Sequence, residues 1–324
     1  MADHPFAALL RAGAEALDDP TLERLTADLS APMRVGVAGR LGSGRDTVRR
    51  ALRGAGAVVA DPGKPADIDV YLGVETLTRE DIDALAAAPR PAVAVLNKAD
   101  LSGFRGAGPM AGAAERCRGL ERDTGVPILP LAGLLAVAAC DPAVLDPPLV
   151  EALRTVLVEP ARLSPPIRRR MLAELDFFGI AIAAEAVCGG ADHAELAARL
   201  REVSGLPAVL DAIGRVGAPI RYRRLITALA GLAGRAVGRR GIPVAEFLAG
   251  DAVVLARMHA AADAMADSGP AASGGPADVL SRAIHWQRYA RGPVSALQRG
   301  CATDIARGAL RLWSEAGGIP EPVR

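Results

Sequence analysis

The stretch Pro91-Ala92-Val93-Ala94-Val95-Leu96-Asn97-Lys98-Ala99-Asp100 runs an uninterrupted apolar segment into a polar tetrad. A short apolar run with no polar member reads as a strand buried inside a sheet. The tetrad then stands at the carboxyl end of that strand, the edge at which open α/β sheets bind ligands. An Asn amide both donates and accepts, and an Asp carboxylate takes two parallel donors. Guanine presents two such donors, its ring N–H and its 2-amino group, and adenine does not. Asn97 and Asp100 are therefore candidates for reading a guanine edge. The plainer reading is a strand-end turn in which Asp100 caps a short helix and Asn97 closes an Asx-turn.

Upstream, Gly39-Arg40-Leu41-Gly42-Ser43-Gly44-Arg45-Asp46 follows the apolar Arg34-Val35-Gly36-Val37-Ala38 and precedes a helical pattern. A phosphate-binding loop reads G-x-x-x-x-G-K-[ST]: backbone N–H groups cradle phosphate, the Lys reaches the β- and γ-phosphates, and the hydroxyl binds Mg²⁺. Gly39 and Gly44 keep the glycine spacing, but Arg45 holds the lysine position and Asp46 the hydroxyl position. Arginine keeps the charge on a longer planar head, which does not replace a compact ammonium in a tight nest. Asp46 brings a carboxylate near the phosphate position. In a chain with 35 glycines, an ordinary strand-to-helix turn is the competing explanation. Two motifs in this order, each after a strand, make a nucleotide domain the stronger expectation.

Short apolar strands alternate with helical patterns around these motifs. Arg34 to Ala38, Ala57 to Ala60, Ile68 to Val74, Ala92 to Leu96 and Val126 to Leu131 read as strands. Asp46 to Arg53, Thr78 to Ala88 and Ala111 to Asp123 read as helices, with Thr78 as an N-cap and Asp81 in the first turn. Such alternation predicts an α/β fold with a parallel, doubly wound sheet. Phe6 to Leu17 and Thr21 to Leu29 form a helical preface. Beyond Asp146-Pro147-Pro148 and Ser164-Pro165-Pro166 the pattern is almost wholly helical: Ile167 to Cys188, Ala191 to Val203, Pro207 to Val216, Ile220 to Val237, Pro243 to Ala266, Ala277 to Ala290 and Pro293 to Glu315. A loop at Ser268 to Pro276 interrupts it. The expected organisation is a helical segment over 1–33, a sheet domain over 34–160 and an α-helical domain over 161–324.

Composition narrows the function classes. The 324 residues suffice for two domains, and 51% hydrophobic with 3% aromatic residues means a core of Ala, Val and Leu. Lys and Arg (38) balance Asp and Glu (37), which argues against a nucleic-acid binder. Cys117, Cys140, Cys188 and Cys301 lie far apart and fit reduced, mostly buried thiols in a cytoplasmic protein. The start, Met1-Ala2-Asp3-His4-Pro5, lacks the basic region of a signal peptide. The apolar stretch from Val126 to Cys140 falls short of the ~20 residues a membrane span needs. His4, His193, His259 and His285 share no metal-ligand spacing, and His259 reads as a packed, hydrogen-bonded side chain. Asp81 and Asp83 read as helix-surface acids. The basic clusters Arg168-Arg169-Arg170, Arg221-Tyr222-Arg223-Arg224 and Arg239-Arg240 read as solvated helix faces or ends, with anionic lipid or phosphate as the alternative.

Residues 34 to 135 resemble the Era-like and dynamin-like branch of P-loop GTPases. Gly39 to Asp46 is similar to the first motif of that family and Asn97 to Asp100 to its guanine-specificity motif. Leu131-Ala132-Gly133-Leu134-Leu135-Ala136 resembles the loop that packs on the base, with Ala132 where the family has Ser. Ala60-Asp61-Pro62-Gly63 is similar to the Asp-Thr-Pro-Gly switch motif, with Ala60 at the metal-directing position and Gly63 at the γ-phosphate-sensing one. In the helical half, Asp176-Phe177-Phe178-Gly179-Ile180, Val203-Ser204-Gly205-Leu206 and Trp286-Gln287-Arg288-Tyr289 resemble the extension of actinobacterial dynamin-like GTPases, where an intact protein often has a divergent companion.

The resemblance implies a reduced GTPase-like domain followed by an all-α domain. Its nucleotide site would use Gly39, Gly42, Ser43, Gly44, Arg45, Asp46 and Thr47 at the phosphates. Asn97 and Asp100 would read the base, Lys98 would pack along the ribose, and Ala132 and Gly133 would cover the base. GTP or GDP is the implied ligand. The interval from Gly39 to Asn97 is too short for a first switch loop and its hairpin, and phosphoryl transfer depends on Mg²⁺, a cradling Lys and a positioned water. All three providers are altered or missing, so the expectation is weak guanine-nucleotide binding without an efficient Mg²⁺ site, catalytic residue or turnover. The implied role is that of a regulatory or assembly subunit of an intact GTPase paralogue, peripheral to a membrane at most. An active GTPase using Arg45 and Asp46, and a nucleotide-free scaffold, are the alternatives.

Overall fold

The computed structural model describes Ala27, Leu29 and residues 31–103, 108–234, 242–266 and 279–317. The expected helix over Phe6 to Leu17, most of that over Thr21 to Leu29, the Ser268 to Pro276 loop and the Arg239-Arg240 pair lie outside the described residues. Two compact units emerge. One is Pro32–Val216; the other comprises the described residues among Met1–Ala31 and Gly217–Arg324.

In the Pro32–Val216 unit, β1 (Arg34–Gly39), β2 (Val58–Val59), β3 (Ile68–Val74), β4 (Ala92–Asn97) and β5 (Ile128–Leu131) form one parallel sheet in the order β2-β1-β3-β4-β5. The expected α/β class and all five strands are present. Val93, Ala94 and Val95 of β4 are fully buried, which is why this strand has no polar alternation. From β1 the chain moves to one side for β2 and to the other for β3, so the switch point falls between β1 and β3. This order recurs among domains of unrelated function and does not by itself name a chemistry.

The helices α1 (Arg45–Gly54), α2 (Arg79–Ala86) and α3 (Pro109–Thr124) match the expected ones. Thr78 caps α2 in a reciprocal capping box with Asp81. Asp81, however, is no surface acid. It is fully buried and accepts hydrogen bonds from the Tyr71 hydroxyl (2.8 Å) and from the Thr78 N–H (2.8 Å).

Two helices were not anticipated, α4 (Gly133–Cys140) and α5 (Pro147–Val158). The first is buried nearly all round, so its sequence lacks the polar stripe that marks an amphipathic helix. The second begins at Asp146, whose carboxylate accepts the Leu149 N–H (3.0 Å) and is braced by Arg170 (2.9 Å). Arg170 is thus an internal tie rather than part of a solvated face.

After α6 (Pro165–Cys188) and α7 (His193–Val203), the helices expected at 207–216 and 220–237 are one, α8 (Leu206–Ala233), which continues through Pro219. The compact units divide within α8, whereas the sequence placed the change of character at 160. Helices α5, α6 and α7 belong with the sheet, packing on one another and on α4.

In the other unit the single expected helix over 243–266 is two, α9 (Ile242–Ala249) and α10 (Asp251–Ala264), separated at Gly250. α11 (Val279–Ala290) and α12 (Ala296–Glu315) follow, and Leu229, Leu232, Met258, Trp286, Cys301 and Ile305 share one core. His259 is exposed, one residue past the buried Met258, and not packed as expected. Cys117 and Cys301 are buried, Cys140 is partly so, and Cys188 is exposed. Among the described residues no helix is long and apolar enough to cross a membrane.

Candidate functional site

Asn97 closes β4 and is only 2% exposed. Its Nδ2 donates to the Ser43 carbonyl (2.8 Å), and its Oδ1 accepts the Gly133 N–H (3.1 Å). One amide therefore joins the loop after β1, the end of β4 and the loop after β5. Two glycines make room for it. A Cβ on Gly44 would lie 2.4 Å from Nδ2, and one on Gly133 2.7 Å from Oδ1. Gly44 also takes φ +82°, which L side chains rarely adopt. The Asx-turn reading of Asn97 is replaced by a long-range bridge, which uses one of its two Nδ2 hydrogens.

Lys98 turns the chain in a left-handed conformation (φ 59°) into a 3₁₀ turn over Ala99–Leu101, where it occupies the N-cap without a side-chain bond. Asp100 is therefore not the cap. It lies inside that turn, 6% exposed. Burial pushes its carboxyl above the ordinary value; its own backbone N–H and the Lys98 charge pull the other way, while the Asp176 charge adds to the rise. Asp176 itself interrupts α6 with φ 55°, and its carboxylate accepts the Phe177 N–H.

The glycine loop is a tight turn. The Ser43 N–H donates to the Arg40 carbonyl (3.2 Å) with Gly42 at φ 84° in the third position, the signature of a type II turn. Leu41 projects into solvent at its tip, and Arg40 reaches Asp81 (3.4 Å). Ser43 is buried, with no partner for its Oγ among the described residues. Of the expected cradle Gly42 to Arg45, the Ser43 N–H is thus used within the loop. The first-turn N–H groups of α1, which begins Arg45-Asp46-Thr47, have no intrahelical acceptors and are the free donors of a helix N-terminus. Gly39 ends β1 in register with Leu72 of β3. Asp46 turns along the helix to Arg49 (2.7 Å), which also donates to the Val37 carbonyl (3.0 Å).

No family model, curated protein or solved structure matches this chain. The site must therefore speak through its own geometry. An open groove of about 590 Å³ runs along α1, lined by Arg49, Arg50, Arg53, Cys140 and Asp141 among others. Its arginines already meet acids, Arg49 on Asp46, Arg50 on Asp141 (2.7 Å) and Arg53 on Asp61 (3.3 Å). The tetrad does not line it. Asp61 of the switch-like segment is thereby tied to α1, while Ala60 pairs with β1 through its N–H to the Val35 carbonyl (2.9 Å).

Ala132 is fully buried and is the N-cap of α4. Its N–H donates to the carbonyl of Ser204 (2.9 Å), a residue to which the sequence assigned no role at the site. Backbone acceptors carry no residue-type signal. Only the Ser204-Gly205 pair between two helical patterns marked a joint there.

Proposed function

We propose that the Pro32–Val216 unit binds a guanine nucleotide at the carboxyl edge of β1, β4 and β5 and turns it over poorly or not at all. The Asn97 amide carries this reading, because it links the loop expected at the phosphates to the loop expected over the base. Asp100 supports it as a buried carboxylate in the turn that follows β4, a group suited to the two parallel donors of guanine. In this reading the first turn of α1 takes the phosphates and Lys98 lies along the ribose. Arg45, Asp46 and Ala60 stand where hydrolysis would need Lys, a hydroxyl and a metal-directing acid. The chain is then a divergent relative of dynamin-like and Era-like GTPases, a regulatory or assembly partner of an intact one. A nucleotide-free scaffold is the second reading, favoured by the turn that uses the Ser43 N–H.

Titration with GDP, GTP and ATP, with and without Mg²⁺, and a phosphate-release assay test this. Guanine-selective binding near the micromolar range without phosphate release is expected, weakened at least about ten-fold in Asp100→Ala. Asp100→Asn should favour xanthosine diphosphate, whose 2-oxo group pairs with an amide donor. The nucleotide-free Asn variant should also melt higher at pH 7. Folding raises the Asp100 pKa, so ionisation costs stability once pH exceeds the ordinary carboxylate range and costs nothing well below it, where both states are protonated. The gain should vanish at about pH 3. No binding at millimolar nucleotide sinks the nucleotide reading in favour of the scaffold.

A further inference from the structure

We propose that the joint between α7 and α8, Ser204-Gly205, is the positioning clamp of the base-reading edge, a role that rests on the guanine reading above. Ser204 is fully buried, and its carbonyl accepts the Ala132 N–H (2.9 Å). Its Oγ donates to the Arg201 carbonyl (2.7 Å) and accepts the Leu206 N–H (3.2 Å), which locks the joint between the two helices. Gly205 follows at φ +81°, and a Cβ there would come within 2.4 Å of the Pro130 carbonyl of β5. Glycine alone lets the joint close on the strand end. One residue beyond Ala132, the Gly133 N–H holds Asn97 Oδ1, and the other end of that amide holds Ser43. A chain of backbone contacts thus runs from the joint through the loop after β5 to the side chain that faces the base.

The consequence is geometric. Asn97 can present its second Nδ2 hydrogen at a ligand only while Gly133 fixes its Oδ1, and Gly133 is placed by an Ala132 backbone bonded to Ser204. Ser204 and Gly205 touch no nucleotide in this reading. They set the orientation of a residue that does, as supporting groups do in preorganised sites.

Gly190, between α6 and α7, supplies the control. It has φ +91° with no atom within 4 Å of a built Cβ, so Gly190→Ala imposes similar backbone strain without pressing on the sheet. In the full chain, Gly205→Ala is expected to weaken GDP and IDP binding alike by about ten-fold, because the Asn97 Nδ2–H meets acceptors that both bases carry while the 2-amino group belongs to Asp100, and to speed amide exchange at Ala132 and Gly133. Gly190→Ala should leave the affinities and exchange unchanged, with a smaller fall in Tm that reports backbone strain without the clash. If Gly205→Ala does not fold, Ser204→Ala is the variant read. It keeps the carbonyl, loses the Oγ lock, and should move the same quantities about three-fold. A wild type that prefers GDP over IDP, with the variant read matching Gly190→Ala, overturns the clamp and leaves the nucleotide reading standing. Weakened binding with unchanged exchange at Ala132 and Gly133 overturns it too. A wild type that binds neither nucleotide overturns the guanine reading and the clamp's role together.

Discussion

Replacing Asp304 with Ala is expected to destabilise the unit containing Gly217–Arg324 by about 3–5 kcal/mol, the cost of removing one partner from a buried ion pair. Asp304 on α12 is 3% exposed and accepts Arg257 of α10 through Nε (3.1 Å) and Nη2 (2.7 Å), and the Tyr222 hydroxyl of α8 (2.8 Å). One carboxylate therefore ties three helices. Burial and the neighbouring Asp304 charge push the Tyr222 hydroxyl well above its ordinary value, and the same two causes push the Cys301 thiol up to about 12. The phenol stays protonated as a donor and the thiol stays inert. Ala at 304 leaves the part-buried guanidinium and the buried phenol without their acceptor. Asn at 304 keeps the shape and one acceptor, and should cost less. Both tryptophans of the chain, Trp286 and Trp313, belong to this unit. Denaturant unfolding followed by their fluorescence isolates the effect, and an unfolding free energy within about 0.5 kcal/mol of wild type, the scatter of neutral surface changes, would refute the assignment.

What the sequence reveals of this molecule tracks the range of the interactions involved. The five strands are legible because each is a short apolar run between turn residues, and the tetrad is legible because it ends one of them. α4 is hidden by its own burial: Gly133 to Cys140 has no polar face to betray a period. The division within α8 is hidden because a proline that usually ends a helix is carried through this one. Asp81 and Asp83 look alike in sequence, yet only Asp81 meets Tyr71 and the loop residue Arg40, contacts set by how β1, β3 and α2 pack. Asn97 stood out in the sequence as a polar residue at the end of an apolar strand, but its partners did not. Ser43 and Gly133 bond it through backbone atoms, which every residue possesses. Sequence marks a group with unusual chemistry and is silent about which peptide group it will meet.

The largest effect in the Pro32–Val216 unit is expected from Asn97→Ala, at about 2–4 kcal/mol. Truncation strands the Ser43 carbonyl and the Gly133 N–H in a buried site, and each unsatisfied group costs ~1–3 kcal/mol, part of it recoverable if water enters the vacated volume. The loss appears without nucleotide, because both partners belong to the protein, and far-UV circular dichroism of thermal unfolding would record it. Asn97→Asp separates the two bonds. It keeps an acceptor for Gly133 but turns a carboxylate towards the Ser43 carbonyl, so it should be no milder than Ala. Gly44 provides the decisive cross-check. Gly44→Ala alone should be severe, through φ +82° and a Cβ 2.4 Å from Asn97 Nδ2. In the Asn97→Ala background the steric part disappears and only the backbone strain remains. The double variant should therefore be less unstable than the sum of the singles by at least about 1 kcal/mol, the coupling expected of residues in contact. Additive losses would mean that the glycine loop and the tetrad stand independently, and a site joining phosphate to base would lose its physical basis.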